Sequence, residues 1–396
     1  MKGKRVAIVG IGTTARPGND RPRQSFKDMI VEGVYEAFSE AKIDPVQIQA
    51  ATFAYHGEAI SEYGGIGPVI ADTLGICPAP VFMTTANCTG SAVALNTAYS
   101  MIAAGRYDIM LVGGFEKMTD HMSYAEYLNA STDSDWDYAL GFTHGDGIGQ
   151  ITNRYMRKYG VSSMTLTRWA YEMHKYGRMY EKSSTYGKPM PTMEQLHAGL
   201  AFGTMLAWGE ACAAIVICAA DIAHKFTDKP IFVDGAAYTS IPHYFGNGYD
   251  SYKAMHYAWP EKYDCTLPLG MMAASEQAYK MAGITEKDVD VAQVYDIQAM
   301  GFYELEGLRI CKPGQAGRFV DEGGIGLEGP CPTNTDGGNI ARGHASGADG
   351  VNMVIELTRQ LRGVAGARQV KGAKVGVAAD IGGAAAHNTV IVMRNE

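Results

Sequence analysis

Apolar residues recur along this chain in short continuous runs that alternate with stretches of helical periodicity. Continuous apolar runs bounded by turn residues are typical of buried β-strands. They occupy residues 6–12, 51–55, 80–83, 108–116, 209–218, 231–235, 291–295 and 373–383. Apolar positions spaced three and four residues apart predict helices over residues 26–41, 93–102 and 348–361. Strands that alternate with helices in this way predict an α/β protein.

The stretch from about residue 120 to residue 200 has a different composition. Tyrosine, methionine and polar residues dominate it, so we interpret it as an insertion of helices and loops, with helices over residues 151–159 and 165–180. The predicted units are an N-terminal half at residues 1–120, the insertion at 121–200, the completion of the N-terminal half at 201–262 and a C-terminal half at 263–396.

The two halves repeat one order of elements. Residues 278–284 resemble residues 37–43, and a short acidic turn and a strand follow each segment. The strand at residues 373–383 parallels the strand that ends in Gly113-Gly114. We therefore predict two similar α/β halves, with ligands bound at strand-to-helix turns on the carboxyl ends of the strands.

Composition and charge exclude several classes of function. Hydrophobic residues make up 46% of the 396 residues, so a large core can be buried. The net charge of −8 argues against a nucleic-acid or anionic-membrane surface. No apolar run is long enough to span a membrane, and the chain begins with a strand rather than a signal peptide. The seven cysteines lack CxxC spacing, which predicts neither a disulfide framework nor a zinc site and favours a reducing cytoplasm.

Cys88 is the first candidate for chemistry. It lies in the sequence TTANCTGS at residues 84–91, where the apolar run at 80–83 turns into a helix that Gly105 is placed to end. The unpaired N–H groups and the positive dipole end of that helix favour a thiolate. A thiol pKa of about 8.5 falls into the neutral range at such a position if a basic group lies nearby. The alternative is a small buried hydrophobic residue.

The second half carries a matching turn. The sequence NTDGGNIARGHASGA at residues 334–348 takes the place of the Cys88 turn, and Gly343 lets another backbone or a ligand approach His344. A neutral imidazole at His344 would accept the Cys88 proton and form a nucleophile–base pair. The alternative is a histidine hydrogen-bonded to nearby backbone. The internal symmetry brings the two turns together, which favours the catalytic interpretation.

At these residues the chain resembles the thiolase superfamily. The matching pieces are NCTGS at 87–91, GGFEKM at 113–118, GEACAA at 209–214, NTDGG at 334–338, GHASGA at 343–348 and the final Gly382-Gly383 turn. The short insertion is similar to that of the sterol-carrier-protein-type, bacterial and archaeal branch. The resemblance implies a five-layered α/β/α/β/α fold, a homodimer or larger assembly, and coenzyme A as co-substrate, with no permanently bound cofactor or metal. Some members of the branch pair with a small zinc-ribbon/OB-fold subunit.

The resemblance also implies roles for individual residues. Cys88 would be the acylated nucleophile, and His344 would activate it and help to hold the thioester oxygen of the second substrate. The backbone N–H groups of Cys88 and Gly382 would form the oxyanion hole, where one donor contributes roughly 3–4 kcal/mol of barrier reduction.

The chain departs from the family at both usual acid/base cysteines. Asp380 stands where ordinary thiolases carry a cysteine before the last Gly-Gly, and Tyr295-Asp296-Ile297 stands where the sterol-carrier branch carries His-Asp-Cys. We expect Tyr295 to replace the cysteine by donating to an enolate oxygen or relaying a proton. The alternative for Tyr295 is a core aromatic residue, and for Asp380 it is a turn cap rather than a base.

The candidate substrate-binding residues are His144, Asp296, Asn334, Gly343 and Asp380. His144, in the sequence GFTHGD at residues 141–146, lies where the insertion of the family approaches substrate, although a structural role is the alternative.

These residues predict a thiolase-type acyltransferase that cleaves a 3-oxoacyl-CoA with coenzyme A. The missing cysteines favour an unusual aromatic or branched substrate, as in benzoylsuccinyl-CoA thiolase subunits. The first alternative is a retro-aldol lyase acting on an acyl-CoA, because steroid side-chain lyases of this branch carry a Tyr-Asp motif similar to Tyr295-Asp296. The second alternative is a non-catalytic scaffold subunit.

Overall fold

The computed structural model describes residues 3–57, 63–118, 120, 123–199, 208–243 and 264–396. The strands are β1 (Val6–Thr13), β2 (Ala50–Ala54), β3 (Val81–Thr84), β4 (Ile109–Glu116), β5 (Ala211–Ala219), β6 (Ile231–Ser240), β7 (Val291–Val294), β8 (Val375–Gly382) and β9 (His387–Arg394). The helices are α1 (Phe26–Ala41), α2 (Gly67–Leu74), α3 (Gly90–Ala103), α4 (Tyr124–Asn129), α5 (His144–Tyr159), α6 (Ser163–Gly177), α7 (Met193–Ala198), α8 (Leu269–Ala282), α9 (Met300–Gly307), α10 (Ala316–Asp321), α11 (Gly338–Ala341) and α12 (Asp349–Arg362).

The strands of the described residues form one sheet in the order β3-β2-β4-β5-β1-β6-β9-β8-β7. The first five strands in that order come from residues 6–219 and the last four from residues 231–394. The two groups meet where β1 pairs antiparallel with β6. In the outer part of each group, parallel pairs place strand ends side by side: β2 lies beside β3 and β4, and β7 lies beside β8. These shared edges are the predicted location of ligands.

Helices cover the strands in layers. Helix α1 packs on β1 and β5 from one side, and α8 packs on β6 and β9. Helices α3 and α12 contact each other and strands of both halves, so they form the central layer. The predicted α/β/α/β/α arrangement of two similar halves is confirmed. Residues on both faces of the strands are buried, which explains why the strands have continuous rather than alternating apolar sequences.

Local sequence determines where several of these elements begin and end. Helix α1 has the predicted bounds because Ser25 and Asp28 form a capping box at its start and Lys42 adopts a left-handed conformation after its end. Helix α3 follows β3 after a short turn, as the pattern around Cys88 predicts. Met29, Val34 and Phe38 lie on the buried face of α1.

Helix α5 and strand β9 differ from the prediction, and helices α2, α9 and α10 lie where no element was predicted. Helix α5 begins at His144 rather than at residue 151, because Thr143 and Asp146 form a capping box there. Glycines in its first turns conceal the helical periodicity. Strand β9 was not predicted, because it begins with the polar residues His387, Asn388 and Thr389. It is held by antiparallel pairing with both β6 and β8.

The division of the chain at residues 120, 200 and 262 stays a prediction. Within the predicted segment 201–262, residues 201–207 and 244–262 lie outside the described residues. Across the ranges that the structure does describe, no helix combines the length and the hydrophobicity needed to cross a bilayer.

Candidate active site

Glycines near the ends of β4 and β8 let each half of the chain pack closely against a turn of the other half. The glycine end of β4 lies against the C-terminal half, where a Cβ at Gly114 would be 1.8 Å from the Gly347 carbonyl oxygen. The glycine end of β8 lies against the N-terminal half, where a Cβ at Gly382 would be 2.1 Å from the Ala86 carbonyl oxygen. A side chain at either glycine would separate the halves. This reciprocal contact brings the Cys88 turn and the His344 turn together.

Cys88 lies on a single 3-10 turn, Asn87–Thr89, immediately before α3. Asn87 has a φ of 51°, a left-handed conformation that orients the turn, and Cys88 is 2% exposed. The Cys88 Sγ lies 3.8 Å from the His344 Nε2 and 3.6 Å from the Ser346 Oγ. The Tyr295 hydroxyl donates a hydrogen bond to the same sulfur at 3.4 Å. The structure therefore brings Cys88, His344 and Tyr295 together.

The His344 ring is fixed on its other side by an acid. Its Nδ1 contacts the carboxylate of Asp349, the first residue of α12, and both side chains are fully buried. The Trp208 ring packs edge-to-face on the imidazole, with 4.2 Å between ring centroids. The His344 Nε2 therefore faces Cys88 and lies 3.3 Å from the Tyr295 hydroxyl oxygen. A nucleophile, a base and an acid that orients the base form the arrangement of a catalytic triad.

Burial raises the pKa of the Cys88 thiol to about 12, and the hydrogen bonds from Tyr295 and Ser346 lower it only in part. The prediction of a thiolate with a near-neutral pKa is therefore wrong for the resting protein. The helix terminus is present, but the sulfur is buried, which disfavours a negative charge on it. Cys88 rests as a neutral thiol and must lose its proton as it reacts.

Tyr295 follows the last residue of β7 and is fully surrounded by protein. Its backbone N–H donates to the Glu304 Oε2 at 2.7 Å, which fixes the strand end. Burial, and then the neighbouring Cys88, raise the pKa of the phenol well above its ordinary value. The Tyr295 hydroxyl is therefore protonated at neutral pH and can serve as a hydrogen-bond donor.

Two acidic side chains lie in the protein interior near Tyr295. Asp380 pairs with Thr389 across β8 and β9, and the Thr389 hydroxyl lies 2.6 Å from that of Thr89, the residue after Cys88. Burial raises the pKa of Asp380 well above its ordinary value, and Asp349 adds to this shift. Burial raises the pKa of Glu304 in the same way, with Asp380 as the next cause. Burial therefore favours the neutral form of both carboxyl groups.

Three predicted substrate-binding residues brace the backbone. Asp296 accepts hydrogen bonds from the Trp169 Nε1 at 3.1 Å and the Asn339 N–H at 2.7 Å. The Asn334 amide exchanges two hydrogen bonds with the Val294 backbone, at 2.7 and 2.9 Å. Gly343 lies against the Pro17 carbonyl with a φ of 121°. We propose that these residues position the loops around Tyr295 and His344 rather than contact substrate.

His144 is the first residue of α5 and is 3% exposed. Burial lowers the pKa of its imidazole to about 4, and nearby His344 and His243 lower it further. The structure therefore places His144 in the neighbourhood of His344. Among the described residues, no group of three or more His, Cys, Asp or Glu side chains could hold a metal ion.

Comparison with known proteins identifies the family. The model of the thiolase N-terminal domain matches residues 6–199, and that of the thiolase C-terminal domain matches residues 251–395. An acetyl-CoA acetyltransferase of Methanocaldococcus jannaschii is 31% identical over 371 residues, which cover 90% of each chain. The chain belongs to the thiolase family. A second acetyl-CoA acetyltransferase, of Methanothermobacter thermautotrophicus, is 29% identical over 387 residues and 96% of each chain.

The sterol carrier protein 2 of Bos taurus is 25% identical over 399 residues, which cover 96% of this thiolase and 70% of the relative. This places the thiolase in the sterol-carrier-protein-type branch. Two solved structures share its fold at lower identity. An Ltp2-ChsH2(DUF35) aldolase superposes with a TM-score of 0.81 at 21% identity, covering 99% and 98% of the two chains. An acetyl-CoA acetyltransferase from Syntrophomonas wolfei gives 0.72 at 18% identity, covering 100% of both.

The sequence did not reveal all the side chains around the Cys88 sulfur. Ser346 lies in the motif GHASGA at residues 343–348 and Asp349 directly follows it, but their contacts with Cys88 and His344 depend on the fold. Glu116, at the end of β4, accepts hydrogen bonds from the His56 N–H at 3.0 Å and the Gly347 N–H at 3.2 Å. Burial raises the pKa of Glu116 to about 8. Its place in the motif GGFEKM was the available signal.

Proposed function

We propose that this thiolase is an acyltransferase that cleaves a 3-oxoacyl-CoA with coenzyme A through an acyl group on Cys88. The observation that carries the proposal is the meeting of the Cys88 sulfur with the His344 Nε2 at 3.8 Å and the Tyr295 hydroxyl at 3.4 Å. The relatives that are named acetyl-CoA acetyltransferases support it.

In the first step, the Cys88 sulfur attacks the keto carbon while the His344 Nε2 accepts the thiol proton. Because the resting thiol is neutral, attack and proton transfer are coupled. Asp349 stabilises the imidazolium and holds its ring in place. The backbone N–H groups of Cys88 and Gly382 are the proposed donors to the oxygen that becomes negative. Gly382 lies against the Ala86 carbonyl oxygen, two residues before Cys88, and this contact supports the assignment.

In the second step, the bond between the keto carbon and the adjacent carbon breaks, and its electron pair passes to the leaving enolate. Tyr295 gives its hydroxyl proton to that enolate and regains a proton from the His344 Nε2, 3.3 Å away. The proton that left Cys88 thus replaces the one that Tyr295 donates. This relay accounts for the absence of both acid/base cysteines. Burial favours the neutral forms of Asp380 and Glu304, which add no negative charge to oppose this relay.

In the third step, coenzyme A attacks the thioester on Cys88. The His344 Nε2 accepts the thiol proton of coenzyme A and returns a proton to the departing Cys88 sulfur. The products are two acyl-CoA molecules, and the enzyme is restored. We propose an aromatic or branched 3-oxoacyl-CoA as the substrate, because the tyrosine replaces the usual acid/base cysteine.

A retro-aldol lyase is the second candidate, because a phenol lies at the reactive position and an aldolase shares the fold. The two functions differ in their need for coenzyme A. Turnover of a panel of 3-oxoacyl-CoAs, measured with and without free coenzyme A, tests the proposal. We expect cleavage only with coenzyme A, giving two acyl-CoA products. Products that form without coenzyme A, including a free aldehyde or ketone, would support the lyase instead.

We also propose a homodimer core and a small zinc-ribbon/OB-fold partner subunit. The structural relative whose name pairs Ltp2 with ChsH2(DUF35) supports the idea of a partner. Light scattering of the purified chain would measure the oligomer. Turnover with and without co-purified proteins would show whether a partner is needed.

A further inference from the structure

A buried arginine lies behind the candidate base. Arg342 directly follows α11 and is 1% exposed. Its Nη1 atom donates to the Asp336 Oδ2 at 2.8 Å, and its Nη2 atom donates to the Asp349 Oδ1 at 3.3 Å. The other carboxylate oxygen of Asp349 contacts the His344 Nδ1. The guanidinium and the imidazole therefore share one carboxylate, on the side of the ring opposite the nitrogen that faces Cys88.

The same guanidinium is also linked to the loop that carries Tyr295. The Arg342 Nη2 donates to the Asn339 Oδ1 at 2.5 Å, and the Asn339 N–H donates to the Asp296 Oδ1 at 2.7 Å. Asp296 directly follows Tyr295 in the sequence. A guanidinium carries several N–H donors in a fixed planar fork, whereas an ammonium group is a compact point charge. The fork lets Arg342 contact Asp336, Asn339 and Asp349 at one time.

Few groups around this carboxylate favour a charged form. The other titratable groups that interact with Asp349 or His344 are Cys88, Tyr295, Glu116, Asp380, His56 and His144. Burial shifts the pKa of each of these toward the value that favours its neutral form at neutral pH. Burial likewise raises the pKa of Asp296 to about 7. Among the described residues, the basic partners of Asp349 are Arg342 and His344 itself.

The charge on Arg342 affects which form of His344 is favoured. A carboxylate beside an imidazole favours the protonated, positive form of the ring. A protonated His344 has no free nitrogen to accept the Cys88 proton. A second cation on the same carboxylate opposes protonation of the ring, because it repels the positive charge and takes up part of the negative charge. Removal of Arg342 should therefore leave His344 protonated at a pH where it is neutral in the wild-type protein.

We propose that Arg342 is a positioning residue that keeps His344 neutral, and so able to accept a proton, by pairing with the Asp349 carboxylate. The inference rests on the proposed function, in which Cys88 gives its proton to this ring. It goes beyond that function by naming the side chain that sets the protonation state of the base. Asp336 holds the guanidinium from the other side, away from the imidazole.

The test is the pH profile of Cys88 alkylation by iodoacetamide, followed by peptide mass spectrometry, because this reaction needs the base but no acyl-CoA. For Arg342→Met we expect the pH of half-maximal rate to rise by about one unit, which makes alkylation about fivefold slower at the wild-type half-maximal pH. The rate should recover to within about threefold of wild type at about pH 9. An unshifted profile would overturn the proposal. A rate lowered by the same factor at every pH would also overturn it, because that is the result of a purely structural role.

Three control variants separate the charge of Arg342 from its packing. Arg342→Lys keeps a positive charge and should remain within about 0.3 pH unit of the wild-type profile. Asp336→Asn removes the acid on the other side of the guanidinium and should not raise the half-maximal pH. Arg318→Met removes an exposed arginine that pairs with Glu322 and should leave the profile unchanged. An upward shift of about one unit in any of the three would overturn the proposal.

The loss of a buried cation leaves two acids without their partner and can prevent folding. Circular dichroism checks each variant. Arg342→Met combined with Asp336→Asn removes one charge of each sign and serves if the single change does not fold. This double variant should show an upward shift of at least about half a pH unit. An unchanged half-maximal pH in the folded double variant would overturn the proposal.

The role of Arg342 and the proposed function can fail separately. Turnover of 3-oxoacyl-CoAs with coenzyme A by the wild-type protein tests the function without any change at Arg342. If a 3-oxoacyl-CoA is cleaved and Arg342→Met leaves the alkylation profile unshifted, the inference is wrong and the proposed function stands. If the profile shifts as expected but no 3-oxoacyl-CoA is cleaved, Arg342 controls the base and the proposed function fails.

Discussion

Tyr55 and Tyr295 occupy the same position in the two halves, each following the strand that lies beside the glycine-ended strand of its half. The Tyr55 ring stacks on Phe115, with 5.8 Å between centroids and an interplanar angle of 12°. Tyr295 instead points its hydroxyl at the Cys88 sulfur. The repeated scaffold thus supplies equivalent positions, and neighbouring side chains decide which of the two tyrosines faces the reactive thiol.

The Cys88 turn and the His344 turn also occupy equivalent positions in the two halves and differ in their neighbouring side chains. In the contacts described above, the Cys88 sulfur meets a phenol, a hydroxyl and an imidazole. Around His344, Arg342 forms buried ion pairs with Asp336 at 2.8 Å and Asp349 at 3.3 Å. The N-terminal half supplies the proposed nucleophile, and the C-terminal half supplies the charged side chains next to its proposed base. Breaking one such buried pair typically costs 3–5 kcal/mol, so the base is also the better-anchored partner.

The nucleophile gives the largest expected effect. Cys88→Ser should lower the rate of 3-oxoacyl-CoA cleavage by at least about 10⁴-fold, because a serine hydroxyl at this neutral, buried position cannot provide a comparable nucleophile. Steady-state kinetics measure the loss. The exposed Cys77 provides the control, since Cys77→Ser should leave the rate unchanged. Near-normal thiolysis by Cys88→Ser would refute the covalent mechanism.

Substitution of the two equivalent tyrosines, Tyr295 and Tyr55, should give the next largest effect on the cleavage rate and tests the contrast between the halves. Tyr295→Phe should lower C–C bond cleavage by about 10²–10⁴-fold, the usual contribution of general acid–base catalysis, because it removes only the hydroxyl. Tyr55→Phe is the matched change in the N-terminal half and should alter the rate by less than about threefold. Cleavage is followed by loss of the 3-oxoacyl-CoA. Similar rates for the two variants would make Tyr295 a packing residue.

Removal of the base should have a smaller effect on a simpler reaction. His344→Ala should slow alkylation of Cys88 by iodoacetamide near neutral pH about tenfold, because the thiol loses its proton acceptor. Peptide mass spectrometry measures the modification of Cys88 over time. His197→Ala is a control outside the site. An unchanged alkylation rate would show that the helix terminus alone activates the sulfur.

The smallest signal concerns the resting protonation state of Cys88. A thiol with its pKa raised to about 12 stays protonated until the pH approaches that value, and its thiolate fraction rises as pH rises. The ultraviolet absorbance difference between wild type and Cys88→Ser should therefore show no thiolate step between about pH 6 and pH 10. A step near neutral pH would show that the helix terminus and His344 outweigh burial.

Much of the fold could be predicted because its signals are local. The buried strands β4, β5, β7 and β8 lie in the predicted apolar runs, and glycines near the ends of β4 and β8 mark the turns that follow them. Strand β9 was missed because its pairing partners, rather than its own polar first residues, determine its conformation. The start of α5 was missed because glycines conceal its periodicity.

In the candidate site, too, the features that local motifs mark could be predicted, and the features that distant segments determine could not. Motifs and the internal repeat predicted that Cys88 and His344 meet, although 256 residues separate them in the sequence. The thiolate prediction failed because it counted the helix terminus, which is local, and could not count burial by distant segments. The contact between His56 and Ser131 was missed for a related reason, since it spans 75 residues and no motif marks either position.

Formation of an acyl-enzyme on Cys88 is the step from which the other assignments follow. Wild-type protein would be incubated with a simple acyl-CoA in the absence of free coenzyme A, and its intact mass measured before and after coenzyme A is added. We predict a mass increase of one acyl group that maps to the peptide containing Cys88, is absent in Cys88→Ser and disappears when coenzyme A is added. No adduct, or one that persists in Cys88→Ser, would contradict acyl transfer through this cysteine.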